Sequence, residues 1–268
     1  MTPACDCHVH IFGPPARYPF APERKYTPPQ AGVDELLALQ VKLELERVVI
    51  VQPSPYGTDN RCLLDALQQL GGRARGVVVI DHNTSLIPMH GSGVRGVRIN
   101  LQTGGERDPD AARRVIEQAA RRVAPLGWHL QLWTDSRMLA ALHDYLGELP
   151  VPLVIDHFGL AQSVEDGAPL LSLLRGGNTW IKLSAPHRVQ GDVDALARAF
   201  IAARPDRLVW GTDWPHPGTG PRSPDKVQPF DRIDDAAALA RLARWAGDES
   251  VLRGILVDNP ARLYDFPR

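Results

Sequence analysis

The stretch CDCHVHI (residues 5–11) combines a short apolar run with two histidines one residue apart. Alternate side chains of a β-strand share one face. The stretch therefore predicts two faces, one carrying Asp6, His8 and His10 and the other Cys5, Cys7 and Val9. The polar face either forms a site or buries imidazoles at an energetic cost, and the remaining sequence decides between these interpretations.

Seven further β-branched or apolar runs make eight candidate strands in all. The later runs are 47–52, 76–80, 96–101, 128–133, 152–157, 179–184 and 207–213. Several are almost continuously apolar, as is typical of parallel strands buried on both faces. Helical patterning separates them in the segments 32–46, 59–71, 108–127, 135–149, 192–205 and 234–247. Segment 81–93 is short and contains proline, so it predicts a reduced helix.

This alternation of strands and helices predicts one α/β domain over residues 1–268, a (β/α)8 TIM barrel, regular or distorted. A doubly wound open sheet is the alternative. The barrel is favoured because no glycine-rich phosphate loop follows the first strand. Polar residues also gather at the carboxyl ends of several strands, whereas an open sheet concentrates them at one switch point.

The composition excludes several classes of partner. The formal net charge is −1 and the isoelectric point is near 6.8, so neither nucleic acid nor an anionic membrane surface is expected. No apolar run approaches the ~18 residues of a membrane span, and no signal-like segment opens the chain. Three cysteines cannot all pair within the chain, which favours a cytoplasmic protein. We expect a small-molecule substrate, and the oligomeric state stays open.

Four polar residues at strand ends would meet at the mouth of such a barrel. They are His8, His10, His157 and Asp213. Three imidazoles and a carboxylate suit a divalent ion. Without a metal they would surround a water molecule and a polarised carbonyl, with the aspartate as general base and the imidazoles as donors.

Each of these residues also has a structural interpretation. A single strand histidine is usually a satisfied core residue, and an aspartate after a strand usually caps a helix. A cysteine-ligated metal is disfavoured because strand alternation turns the cysteines away from the histidines. Lys182 is either buried in the barrel or placed at its mouth, and His129 lies deeper in the fifth strand.

Five motifs together resemble the lactonase branch of the amidohydrolase superfamily. They are DCHVHIFGP (6–14), KYTP (25–28), PYGTDN (55–60), LVIDHFG (153–159) and GTDWPH (211–216). The resemblance implies that Asp213 activates water and that His8, His10 and His157 polarise the substrate carbonyl. It also implies contacts to substrate carboxylate and hydroxyl oxygens from Arg98, Arg188, Tyr26, Ser54 and Gln131. The implied substrate is a carboxylated lactone, such as a pyrone dicarboxylate or a sugar-acid lactone, which the enzyme opens or isomerises.

The resemblance also bears on cofactors. Metal-dependent relatives usually add a lysine or glutamate on strand four or a histidine at the end of strand five, whereas this chain has Arg98 and Trp133 there. We therefore expect no cofactor. The alternative is a hydrolase or decarboxylase with one Zn²⁺ held by His8, His10, His157 and Asp213. A binding protein without catalysis is disfavoured because all four of these residues are present.

One departure from the branch bears on the substrate. Dicarboxylate lactonases tend to place an arginine after DHFG, where this chain has Leu160. Each missing arginine removes a partner for a substrate carboxylate, so the pyrone substrate is less favoured than a hydroxyl-rich sugar acid.

Overall fold

Eight parallel strands alternate with helices and form a barrel in the computed structural model, which describes residues 2–267. The strands pair in chain order. They are β1 Cys5–Val9, β2 Arg47–Val51, β3 Ala74–Val78, β4 Val94–Asn100, β5 His129–Trp133, β6 Leu153–Ile155, β7 Thr179–Ser184 and β8 Leu208–Gly211. The predicted TIM barrel and all eight predicted strands are confirmed.

The helices lie between and after the strands. They are α1 Val33–Leu43, α2 Arg61–Leu70, α3 Ile87–Gly91, α4 Leu101–Gly104, α5 Pro109–Val123, α6 Ser136–Ala141, α7 His143–Gly147, α8 Ala168–Gly176, α9 Val193–Ala203, α10 Asp235–Ala246, α11 Glu249–Arg253 and α12 Asn259–Leu263. The reduced helix after β3 is confirmed as α3, the segment 135–149 divides into α6 and α7, and α8 was not predicted. Within the described range, no helix is long and apolar enough to cross a bilayer.

The predicted faces of β1 are wrong, because the strand carries one extra residue relative to β2. Asp6 pairs with Val48, but Val9 pairs with Ile50, so three steps on β1 match two on β2. This bulge interrupts the alternation. Cys5 and Cys7 consequently pack inside the barrel with Val49, Val51, Val77, Val154, Trp180, Val209, Tyr264 and Phe266. His8 faces the interior as well, whereas Val9 joins the outer layer against the helices.

The floor of the barrel is closed by residues that follow α12. Tyr264 and Phe266 pack against the inner strand residues. Arg75 on β3 donates to the carbonyl oxygens of Tyr264 at 3.1 Å and Asp265 at 2.7 Å, and its guanidinium lies 4.5 Å from the Phe266 ring centroid. His129 occupies this floor beside Tyr264, with ring centroids 5.3 Å apart. The floor is therefore a packed structural layer that leaves the opposite end for chemistry.

The seam between β1 and β8 depends on a side chain. The carboxylate of Asp6 accepts hydrogen bonds from the Thr212 amide at 3.0 Å and the Thr212 hydroxyl at 2.6 Å. The Asp213 amide then donates to the carbonyl of His8 at 2.9 Å. Gly211 permits this close approach, because a Cβ atom there would lie 2.6 Å from the His8 nitrogen.

We expect Thr212→Val to lower the free energy of unfolding by roughly 1–3 kcal/mol, because it removes a donor from a buried carboxylate. Urea denaturation followed by circular dichroism measures this loss. Thr212→Ser keeps the hydroxyl and is the matched control. Equal stability of the valine and serine variants would contradict the assigned role of the hydroxyl at the seam.

Candidate active site

Three imidazoles converge on one oxygen of Asp213 at the carboxyl ends of the strands. The Nε2 atoms of His8, His10 and His157 each lie 3.6 Å from Asp213 Oδ1. The other oxygen, Oδ2, accepts from Arg188 Nε at 3.0 Å and Nη2 at 2.8 Å. All three histidines and Asp213 are buried. The structure thus brings the four predicted catalytic residues together.

Each imidazole is held from behind through its Nδ1 atom. His10 Nδ1 lies 2.7 Å from the carbonyl oxygen of Val51, and His157 Nδ1 lies 2.8 Å from Ser184 Oγ. A carbonyl only accepts, so Nδ1 of His10 carries a proton, and in the neutral imidazole Nε2 presents a lone pair. His10 therefore acts as an acceptor toward the space next to Asp213.

The charge states follow from burial and neighbouring cations. Burial opposes ionisation of Asp213, but the Arg188 guanidinium and the three neighbouring imidazoles together outweigh it and hold the pKa of this carboxyl well below its usual range. Burial lowers the pKa of His157 to about 3. Burial and the Lys182 ammonium also lower the pKa of His8 well below its ordinary value. At neutral pH the site therefore holds a carboxylate beside neutral imidazoles at His8 and His157.

A second layer of charge lies beneath this cluster, around Asp156. Asp156 Oδ2 accepts from Arg98 Nε at 3.1 Å, and Oδ1 accepts from Gln131 Nε2 at 2.8 Å. Lys182 Nζ lies 3.7 Å from Oδ1. Burial opposes ionisation, yet His8, Lys182 and Arg98 hold the pKa of Asp156 well below its usual range. Burial lowers the pKa of Lys182 to about 8, so it stays charged at neutral pH.

The predicted substrate-binding residues divide between the pocket and this lower layer. A cavity of about 30 Å³ above the cluster is lined by His10, Tyr26, Pro53, Ser54, Arg98, Asn100, Thr103, Trp133, His157, Arg188, Asp213, Pro217 and Arg222. Gln131 does not line this cavity and bonds to Asp156 and Lys182 instead. Its predicted contact with substrate stays a prediction. Of the two positions that the sequence left open for Lys182, the structure shows the one buried in the barrel.

Asp156 and Arg222 are among the residues of the site to which the sequence assigned no role. Asp156 directly precedes His157 at the end of β6, and that position was the available signal. Arg222 lies in the loop 217–230 and stacks over the Tyr26 ring at 5.3 Å. No periodic pattern marks that loop, so sequence offered no signal for Arg222.

A larger cavity of about 950 Å³ lies on the outer side of β3 and β4, against α5. Its walls are largely apolar and include Val97, Ile99 and Val115, and it shares Arg98 and Asn100 with the small pocket. The converging carboxylate and imidazoles line the smaller pocket, so the chemistry belongs there despite the difference in volume.

Two groups of side chains have the composition of a metal site. His8, His10 and Asp213 form one group and His8, Asp156 and His157 the other, with potential ligand atoms within 4.8 Å of one another. Imidazole and carboxylate donors suit zinc, and the free Nε2 lone pair of His10 fits such a role. In residues 2–267 these groups contain no cysteine, although Cys7 does not face away from His8 as predicted.

His157 stands on an unusual left-handed turn. His157, Phe158, Gly159 and Leu160 have φ values of 50°, 58°, 61° and 51°. Side chains other than glycine pay conformational free energy in this region, and such strain concentrates at functional sites. The turn redirects the chain after the three-residue strand β6 and aims His157 at Asp213.

Comparison with known proteins identifies the family. The family model described as amidohydrolase matches residues 5–266. The chain belongs to the amidohydrolase family. A 2-pyrone-4,6-dicarboxylate hydrolase of Comamonas testosteroni is 38% identical over 285 residues, covering 97% of this chain and 90% of the relative. A 4-sulfomuconolactone hydrolase of Hydrogenophaga intermedia is 35% identical, covering 97% and 88%.

A solved structure shares the fold of this amidohydrolase. It is a probable 2-pyrone-4,6-dicarboxylic acid hydrolase from Acinetobacter baumannii with citric acid bound. The sequence identity is 27% and the TM-score is 0.83, with 99% of this chain and 100% of the other covered.

We expect Gly159→Ala to lower the free energy of unfolding by roughly 1–3 kcal/mol. Its φ is 61°, and the new Cβ would lie 2.7 Å from Leu139 Cδ1. Gly176→Ala is the matched control, because a Cβ at Gly176 on α8 meets nothing within 4 Å. Urea denaturation of both variants checks this, and equal losses would contradict the steric account.

Proposed function

We propose that this amidohydrolase opens a carboxylated lactone, with Asp213 as the base that activates water. The observation that carries the proposal is the convergence of three Nε2 atoms on Asp213 Oδ1 inside a pocket lined by three arginines. The two curated relatives described above are named as hydrolases, one of a pyrone dicarboxylate and one of a sulfonated lactone. These names support a cyclic ester that carries an acidic group.

The geometry supports a specific position for the water. Asp213 Oδ1 and His10 Nε2 both face the same space, and both can accept hydrogen bonds. A water molecule donates two hydrogens, so it can bond to both groups with its oxygen lone pairs free. Arg188 holds the Asp213 carboxylate in place from its other oxygen.

In the proposed reaction Asp213 carries one proton of the water to the ring oxygen, and the other proton leaves to solvent. The water oxygen attacks the carbonyl carbon of the lactone as its proton passes to Asp213. The ring C–O bond then breaks, and the departing ring oxygen takes the proton from Asp213. The new carboxylic acid releases the second proton of the water to solvent and becomes a carboxylate. The arginines Arg98, Arg188 and Arg222 suit a site in which negative charge increases during the reaction.

We propose that this chemistry needs no metal ion. Arg188 bonds directly to Asp213, Lys182 lies 3.3 Å from His8, and Arg98 bonds to Asp156 beneath the imidazoles, so a dication would meet three positive charges. The second candidate, a metal-dependent hydrolase or decarboxylase, is favoured by the spacing of His8, His10 and Asp213. Zn²⁺ held there would polarise a carbonyl and lower the pKa of water.

We also propose a cytoplasmic location. Cys5, Cys7 and Cys62 are buried thiols without a disulfide, which supports a reducing compartment.

The test is ring opening by chelator-stripped protein, assayed by acid release. The panel contains 2-pyrone-4,6-dicarboxylate, galactaro- and glucarolactones, and neutral aldonolactones, with product analysis to separate hydrolysis from isomerisation. We expect turnover of an acidic lactone and a loss of about 10²–10⁴-fold in kcat for Asp213→Asn. Asp194→Asn, a carboxylate bonded to Arg241 on the outer helices, is the control. Activity that returns only with Zn²⁺ would favour the second candidate, and an active Asp213→Asn would refute the base.

We expect Arg98→Gln to raise KM for acidic lactones about ten- to a hundredfold, because it removes a charge-assisted hydrogen bond to the substrate carboxylate. Neutral lactones should change less than about threefold, since they lack that carboxylate. Steady-state kinetics on a matched acidic and neutral pair measure the difference. Equal changes in KM for the pair would mean that Arg98 does not bind the carboxylate.

A further inference from the structure

Lys182 is buried beneath the pocket and has no role in the reaction described above. Its Nζ atom donates to the carbonyl oxygen of Cys7 at 2.9 Å and to Gln131 Oε1 at 2.8 Å. Its third close contact is His8 Nδ1, at 3.3 Å. An ammonium has three protons and no lone pair, so an imidazole nitrogen that bonds to it must accept.

Asp156 competes for the same imidazole nitrogen. Its Oδ1 atom lies 3.2 Å from His8 Nδ1 and would favour a proton there. Both oxygens of Asp156 already accept hydrogen bonds, from Gln131 Nε2 at 2.8 Å and from Arg98 Nε at 3.1 Å. Lys182 has one proton left to donate. Its Nζ atom lies 3.3 Å from His8 Nδ1 and 3.7 Å from Asp156 Oδ1, so the imidazole is the nearer acceptor. His8 Nδ1 thus lies between a donor at 3.3 Å and an acceptor at 3.2 Å, and the other donors that Asp156 already has are the ground for assigning donation from Lys182 to His8.

We propose that Lys182 is a positioning residue that keeps the His8 proton on Nε2, so that His8 donates to the carbonyl oxygen of the bound lactone. The identity of that acceptor rests on the proposed function. His8 Nε2 has no hydrogen-bond partner within residues 2–267, and it lies 3.6 Å from Oδ1 of Asp213, a residue that lines the pocket. A buried donor without an acceptor is costly, and a substrate carbonyl would satisfy it as charge develops on its oxygen.

Two neighbouring histidines then have opposite roles. His10, bonded through Nδ1 to Val51, accepts from water, whereas His8, bonded through Nδ1 to Lys182, donates to substrate. A nitrogen that carries a proton cannot bind a cation. Lys182 thereby also removes His8 from the set of zinc ligands, which distinguishes this site from a metal-dependent one.

The test is a long-range ¹H–¹⁵N spectrum of the full chain with ¹⁵N-labelled histidine, in which the His8→Gln variant assigns the signal. In the wild type we expect His8 to carry its proton on Nε2. In Lys182→Met the proton should move to Nδ1, toward Asp156, and kcat for an acidic lactone should fall about ten- to a hundredfold with KM within about threefold. Arg75→Met removes another buried cation that donates to carbonyls, at the barrel floor, and should leave the His8 signal unchanged.

The wild-type spectrum, once assigned with His8→Gln, decides without the Lys182 variant. A proton on Nδ1 of His8 in the wild type would overturn the proposal, and so would an unchanged tautomer in Lys182→Met. If the spectra agree with expectation but the wild type opens no lactone, the proposed function fails while the role of Lys182 stands.

Discussion

The hydrogen bonds from Thr212 to the Asp6 carboxylate join the first strand to the last, and the geometry of the site follows from them. They hold the end of β8 against β1, so that the Asp213 amide reaches the carbonyl of His8. Burial raises the pKa of Asp6 to about 7, above its ordinary 3.8, although Thr212 opposes the shift. The folded chain therefore binds a proton at Asp6 that the unfolded chain has released, and this group's contribution to stability falls as pH rises from about 4 to 7.

The charged layer under the pocket is the costliest part of the interior. Asp156, Lys182 and Arg98 are all buried, and ions removed from water are tolerated only when each is paired and hydrogen-bonded. Removing one member leaves an uncompensated charge, so this layer is poorly suited to substitution. The charged layer orients the side chains above it, because Asp156 holds Arg98 on one side and Lys182 contacts His8 on the other. The polar groups of the pocket are thus held before substrate arrives.

The sequence predicted the architecture and the four converging residues, because strand periodicity and strand ends carry strong signals. The prediction failed where the backbone departs from the two-residue period of an ideal β-strand. The bulge in β1 places Cys7 and His8 on the same inner side, which strict alternation forbids. Gln131 shares a strand face with pocket residues yet lies one layer lower, and depth along a barrel cannot be read from a period of two. Helix α8 is short and rich in leucine, so its pattern resembles a buried strand.

The floor of the barrel can close only late in the synthesis of the chain. Tyr264 and Phe266, which fill the inner core between the strands, are synthesised after all eight strands. Until residue 264 is made, the inner apolar residues of β1 to β8 lack Tyr264 and Phe266 as packing partners, and Arg75 lacks its carbonyl partners. Pauses in translation just before residue 264 would prolong this exposure and favour association with chaperones.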